Sequence, residues 1–175
     1  LSCVSLTHRN FGLVFIETDA GFTGIGETSV NFPPWCVHER RATIEDGLAT
    51  LLIGENPLDV RRLHDKMVNA TRAFTRMWAE GGIAQAISGT DIALWDIAGK
   101  FYGVPMWQLL GGRYREEIDC YAVGFNATDP AAGALDMKAR GYTHAKMRIG
   151  FDDAVDVRKA HAMRAAVGAD FGIMS

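Results

Sequence analysis

The chain has 175 residues, of which 48% are hydrophobic and 22% charged, a composition typical of a globular protein with one or two domains. Its 18 basic and 21 acidic residues give a net charge of -3, without the basic excess that binding to nucleic acid or to an anionic membrane would favour. The three cysteines form no CxxC or Cys/His cluster, which argues against a zinc site or a disulfide framework and favours a cytoplasmic location.

The first half of the chain predicts an α+β unit. The stretch 11–29 is β-branched and aromatic on both sides of Gly21, which predicts a hairpin with a glycine turn. Helical spacing of apolar residues predicts one helix over 37–54, a second that starts at Pro57, and a third, more apolar one over about 83–102. The second helix should direct a set of apolar residues inward: Leu58, Val60, Leu63 and Met67.

The second half alternates short apolar runs with helical stretches. In order they predict strand, helix, strand, helix and strand, at 118–125, 130–141, 142–150, 152–168 and 170–175. This βαβ pattern predicts a parallel sheet with right-handed crossovers. We therefore divide the chain into an α+β domain at 1–112 and the first βαβαβ units of an α/β domain at 113–175. Because a closed (β/α)₈ barrel needs about 250 residues, we expect the chain to be a fragment, truncated after its third barrel strand.

The second of these apolar runs, at 142–150, carries two cations. Side chains alternate along a strand, so His144, Lys146 and Arg148 should share one face, whereas buried parallel strands are normally apolar on both faces. Two structural explanations are open: an edge strand with its cations in solvent, or pairing of both cations with buried carboxylates. The functional explanation is that they bind or polarise a substrate carboxylate at the carboxyl end of the strand, with Lys146 as a general base whose pKa is lowered beside Arg148.

Four stretches together resemble the mandelate racemase and muconate lactonizing enzyme group of the enolase superfamily. They are FIETDAGFTGIGE at 15–27, SGTDIALWDIAGKFYGVPMWQLLGG at 88–112, AKMRIG at 145–150 and AVGADFGIM at 166–174. The resemblance implies a fold in which an α+β capping domain is followed by a modified (β/α)₇β TIM-type barrel, of which this chain would hold the start. It also implies assembly as a homo-oligomer, from dimer to octamer.

In that family the second barrel strand ends in a Lys-x-Lys motif, whose second lysine removes the proton α to a carboxylate. Lys146 matches the first position, but Arg148 occupies the second, and arginine is effectively never deprotonated. The resemblance therefore leaves two alternatives, either Lys146 as the base or a His-Asp pair on later strands. Arg148 would then bind substrate through its rigid guanidinium fork. The family's Mg²⁺ ligands are expected just beyond Ser175.

The expected activity is Mg²⁺-dependent abstraction of the proton α to a carboxylate through an enediolate. We expect an acid-sugar dehydratase, because arginine in the base position suits one-sided chemistry. A racemase or epimerase, a cycloisomerase, or a non-catalytic truncated relative are the alternatives. Candidate substrate contacts are Asn31, Phe32, Trp35 and Asn126, although 31–35 is equally a stiff aromatic turn and Asn126 equally a cap. Asp96 and Lys100, an i, i+4 ion pair, are expected to pack the two domains together.

Overall fold

The computed structural model describes residues 10–30, 35–78, 81–123, 129–150 and 152–175, with the side chains of 74–78 left aside. By their contacts they form two compact units, one that ends at Tyr114 and one that begins at Arg115. The two units are described separately below.

The described part of the first unit contains the predicted hairpin. Strands β1 (Gly12–Glu17) and β2 (Thr23–Thr28) pair antiparallel. Gly21 occupies the left-handed region at φ 83°, where glycine pays no steric penalty, so the glycine turn is confirmed. Val14 is buried, whereas Leu13 and Phe15 are exposed, which is the alternation expected of a sheet with one covered face.

Helices follow the hairpin. The predicted helix over 37–54 is present as α1 (Cys36–Ala42), a π-helical segment (Thr43–Leu48) and α2 (Ala49–Leu52), which run on without a break. Within the π-helical segment the bond from Ala49 N–H reaches back five residues, to the carbonyl of Ile44. The periodicity of the sequence did not reveal this widened turn.

Three more helices are described in the unit: α3 (Val60–Trp78), α4 (Gly81–Tyr102) and α5 (Met106–Leu109). The predicted start of α3 at Pro57 is three residues too early. The side-chain oxygen of Asn56 accepts the N–H of Leu58 at 3.1 Å, and its carbonyl accepts the N–H of Asp59 at 3.1 Å. These two bonds hold a turn ahead of the helix, because a short polar side chain competes with helical bonding to the backbone.

The core of the unit lies between α3 and α4 and confirms the predicted inward face of α3. Its buried members are Leu48, Val60, Leu63, Met67, Ala86, Ile87, Leu94 and Ala98, with Leu58 packed at the edge. Strand β2 crosses α4 through glycines. A Cβ atom on Gly26 would overlap the carbonyl oxygen of Gly89 and lie 2.9 Å from the nitrogen of Ala93. The two backbones are therefore in direct contact.

The second unit contains the predicted βαβαβ arrangement. Its elements are β3 (Ala122–Val123), α6 (Pro130–Ala139), β4 (His144–Lys146), α7 (Asp153–Val167) and β5 (Gly172–Met174). The strands are parallel and ordered β3-β4-β5. As described, they are shorter than the apolar runs that predicted them, with ladder pairs at 122–123, 144–146 and 172–174.

One face of this sheet packs against its helices. A second core joins them, formed by Ala122, Ala134, Ala145, Met147, Met163, Val167 and Phe171. Three parallel strands with crossover helices are consistent with the start of a (β/α) barrel. Among the described helices, none has the length and apolar character needed to cross a membrane.

Candidate active site

The candidate site begins with Lys146 on β4. Strand β4 lies between β3 and β5, so the edge-strand explanation is wrong. Lys146 is level with Val123 and Met174, and residues level with each other in parallel strands point to the same side of the sheet. Val123 is 59% and Met174 41% exposed, whereas the preceding Ala145 is fully buried against the helices. Lys146 therefore lies on the sheet face opposite the helices.

Arg148 continues the same face. Pairing extends one residue beyond β4, because the N–H of Met147 donates to the carbonyl of Met174 at 3.0 Å. Met147 is buried and Arg148 exposed, as strand alternation requires. Within the described residues, neither Lys146 nor Arg148 has a hydrogen bond or ion pair through its side chain, so the predicted alternative of buried carboxylate partners is not observed there.

His144 is the third residue predicted for this face, and it lies at the amino end of β4. Its ring lies over its ladder partner Gly172, where a Cβ atom would overlap the imidazole. Its Nδ1 atom is 2.9 Å from the hydroxyl of Thr143. The arrangement explains the glycine at position 172 and leaves the carboxyl end of the strand to the two cations.

The turn after Arg148 is held by an acidic residue that sequence analysis missed. Gly150 has a φ of 95°, and its N–H donates to Oδ2 of Asp156 at 2.7 Å. Asp156 lies in the first turn of α7 and is 8% exposed. The sequence did offer one signal: Asp156 follows the N-cap residue Asp152 by about one helical turn. Because one aspartate is enough to cap the helix, a second one at this spacing could have another role.

The other predicted site residues are only partly described. Asn31, Phe32 and Asn126 lie outside the described residues. Trp35 directly precedes α1, with its side chain 72% exposed and its carbonyl accepting the N–H of His38 at 3.2 Å. It belongs to the first unit, whereas the cations belong to the second.

Sequence analysis also missed a buried arginine on α1, the helix that follows Trp35. Arg40, on α1, is only 4% exposed. Its guanidinium donates to the carbonyl of Ser29 at 3.4 Å, to Oε1 of Gln85 at 2.7 Å and to the carbonyl of Gly82. An ion pair with Glu39 at 3.4 Å provides the opposite charge. Arg40 thereby connects the end of β2, α1 and α4.

The ion pair between Asp96 and Lys100 is confirmed at 2.7 Å, but its described contacts are with β2 of the same unit. Oδ2 of Asp96 accepts the N–H of Ile25 at 2.8 Å, and Lys100 donates to the carbonyl of Thr23 at 2.6 Å. Burial raises the pKa of Asp96, but the hydrogen bonds from Lys100 and Ile25 outweigh burial, so the pKa lies below its ordinary value. The pair holds an edge strand to a helix.

Among the described residues, no group of three or more His, Cys, Asp or Glu side chains is arranged to hold a metal ion. This part of the chain therefore does not fit a complete Mg²⁺ site.

Taken together, the two units define a class of protein: an α+β domain followed by parallel βα units with cationic residues at the end of a strand. The model of the mandelate racemase / muconate lactonizing enzyme N-terminal domain matches residues 1–111. The chain belongs to this group of the enolase superfamily, as its motifs predicted.

Several relatives cover nearly the whole chain. D-galactarolactone cycloisomerase from Agrobacterium fabrum is 35% identical over 93% of it, and N-succinyl-L-Arg/Lys racemase from Bacillus cereus is 34% identical over 92%. L-rhamnonate dehydratase from Saccharopolyspora erythraea is 33% identical over 93%. The crystal structure of a mandelate racemase/muconate lactonizing enzyme from Bordetella bronchiseptica superposes with a TM-score of 0.82, at 36% identity over 94% of the chain and 46% of that structure.

The matches also differ from the chain in length. The alignments cover 42%, 42% and 39% of the cycloisomerase, the racemase and the dehydratase. The chain therefore spans about two fifths of the length of these curated relatives. The family model places residues 1–111 in the N-terminal domain of such proteins.

Proposed function

We propose that the whole protein is an enzyme that removes the proton α to the carboxylate of a sugar acid and eliminates water, an acid-sugar dehydratase. The observation that carries the proposal is the placement of Lys146 and Arg148. Both lie at the carboxyl end of a central parallel strand, on the face opposite the helices, without a described anionic partner. A substrate carboxylate would supply that partner. Dehydratases among the relatives support the reaction class.

The residues divide the work as follows. Lys146 accepts the α-proton on Nζ, and the electron pair of the broken C–H bond forms the enediolate. The β-hydroxyl then leaves as water with the proton that Lys146 had accepted, and the resulting enol tautomerises to a 2-oxo-3-deoxy acid. Arg148 holds the substrate carboxylate through two parallel N–H donors. If a His-Asp pair elsewhere in the whole protein is the base, both cations bind the carboxylate instead.

We include Mg²⁺ in the proposal only because the family uses it. Because the described residues form no metal-binding cluster, the ligands would come from other parts of the whole protein. We further propose Asn31, Phe32, Trp35 and Asn126 as substrate contacts, and a homo-oligomeric cytoplasmic protein. The substrate class is a small carboxylate.

A racemase or cycloisomerase is the second candidate, and two relatives with those names favour it. Racemisation with two bases needs a proton acceptor on each face of the α-carbon. Arg148 does not fill that role because an arginine side chain does not act as a proton acceptor in proteins. The dehydratase, which needs one base for the α-proton, is therefore the better match to this strand.

The test is turnover of the whole protein in deuterium oxide, with Mg²⁺ and a panel of aldonic and aldaric acids, followed by NMR. A dehydratase yields a 2-oxo-3-deoxy acid, whereas a racemase returns the acid with deuterium at the α-carbon. Lys146→Met should reduce turnover by about 10²- to 10⁴-fold, the usual contribution of a general base. Lys159→Met, which removes the same charge from α7, is the matched control.

Different results identify different errors. Racemisation without loss of water would replace the dehydratase by the second candidate. Full activity of Lys146→Met would remove Lys146 from the mechanism. A whole protein that neither binds Mg²⁺ nor exchanges an α-proton would favour a non-catalytic relative.

A further inference from the structure

Asp156 is a buried acid for which the proposed reaction has no use. Its side chain is 8% exposed, although it lies in the first turn of a surface helix. The start of α7 is already capped by Asp152, whose carboxylate accepts the N–H of Val155 at 2.9 Å. Asp156 itself joins the helix through its own N–H, which donates to the carbonyl of Asp152 at 2.8 Å. Neither of these two bonds involves the carboxylate of Asp156.

That carboxylate contacts the turn that follows the two cations. Oδ2 of Asp156 accepts the N–H of Gly150, two residues after Arg148, at 2.7 Å. Gly150 lies in a bend after β4, which ends at Lys146. Its φ of 95° favours glycine, which has no Cβ atom to oppose the bend. A bond to a charged acceptor is roughly twice as strong as a neutral one, and burial strengthens it further.

We propose that Asp156 is a positioning residue for Lys146 and Arg148. By holding the N–H of Gly150, it sets where the chain leaves β4 and hence the direction of the Arg148 side chain. The catalytic part of this inference rests on the proposed function, whereas the structural part does not. A displacement of about 1 Å among groups that position substrate can reduce turnover by about 100-fold.

The test uses the whole protein and three variants. Asp156→Ala removes the acceptor, Asp156→Asn keeps an acceptor oxygen without the charge, and Asp153→Ala removes an exposed acid from the same helical turn. Two quantities are measured for each: amide hydrogen exchange at Gly150 by NMR, and kcat and KM for the sugar acid that the wild type turns over. Thermal unfolding of each variant gives the folded fraction.

We expect a graded series. Asp153→Ala should match the wild type, Asp156→Asn should be intermediate, and Asp156→Ala should exchange fastest at Gly150, with kcat about 100-fold lower per folded molecule. If Asp156→Ala does not fold, Asp156→Asn decides by the same two measurements. A purely structural role would lower the melting temperature and leave kcat per folded molecule unchanged.

Two outcomes overturn the inference. Gly150 exchange that is the same in all folded variants would show that Asp156 does not hold the turn. Faster exchange at Gly150 with unchanged kcat would show that the turn does not position the cations. If the wild type turns over no sugar acid, the proposed function fails, and the exchange series with the Arg148 amide as a second probe still decides whether Asp156 fixes residues 148–150.

Discussion

Replacing Gly26 by alanine tests the direct backbone contact between β2 and α4. The new methyl group would overlap the carbonyl oxygen of Gly89 and lie 2.9 Å from the nitrogen of Ala93. Both obstacles are backbone atoms of a helix and cannot rotate away as a side chain would. The strand must therefore move off the helix, or the helix must bend.

The expected cost follows from that geometry. Overpacking a well-filled core usually costs about 1–3 kcal/mol, and rigid obstacles place Gly26→Ala near the upper end, at about 3 kcal/mol. With a urea m-value of about 2 kcal/mol per molar, the unfolding midpoint should fall by about 1.5 M. Urea unfolding of the 175-residue chain, followed by circular dichroism, measures this change.

Gly47→Ala is the matched control. Gly47 lies in the π-helical segment, and nothing is within 4 Å of a Cβ atom placed there. Because alanine has the better helix propensity, this variant should be unchanged or more stable by up to about 1 kcal/mol. If Gly26→Ala unfolds within about 0.5 kcal/mol of the wild type, the size expected of an unremarkable surface substitution, the close contact does not constrain the fold.

Three further predictions concern the same unit. Hydrogen bonds from Lys66 and Arg62 hold the pKa of Glu55 at about 2, below its ordinary 4.5. Glu55→Gln should therefore lower the stability of the fold above pH 4.5, and the difference from the wild type should vanish as the pH falls through 2. Unfolding curves taken across that pH range measure the difference. Asp96→Ala should lower the free energy of unfolding by about 1–3 kcal/mol, because the backbone N–H of Ile25 loses its acceptor, and Asp96→Asn should lower it less. Chemical denaturation measures both changes, and equal losses would contradict the role of Asp96 in holding β2 to α4. Leu63→Ala should cost about 2–5 kcal/mol in the same assay, because Leu63 is 1% exposed, and a smaller loss would mean that the core collapses around the cavity.

Periodic and compositional signals predicted most of the architecture. The glycine turn at Gly21, the inward face of α3 and the βαβαβ order all depend on local patterns, and all three are confirmed. The face shared by Lys146 and Arg148 follows from the period of two residues in a strand. These features depend on near neighbours in sequence, which a single sequence shows directly.

Features that depend on distant partners were not predicted. The partners of Arg40 are Ser29, Gly82 and Gln85, up to 45 residues away in sequence, and an arginine in a helix gives no local sign of burial. The start of α3 was misplaced because Pro57 favours a helix start while the side chain of Asn56 competes for the backbone. The carboxylate of Asp156 looked like ordinary charge at a helix start.

The π-helical segment has a consequence for the angular phase of the helix that contains it. Arg40 and Leu48, both buried, are eight residues apart, and at about 100° per residue an ordinary α-helix would separate their directions by about 80°. One additional residue in the widened turn reduces the total rotation from Arg40 to Leu48 by about 100°, so both side chains point inward from the same side of the helix. The widened turn thus lets one continuous helix direct a cation to the end of β2 and a leucine to the core.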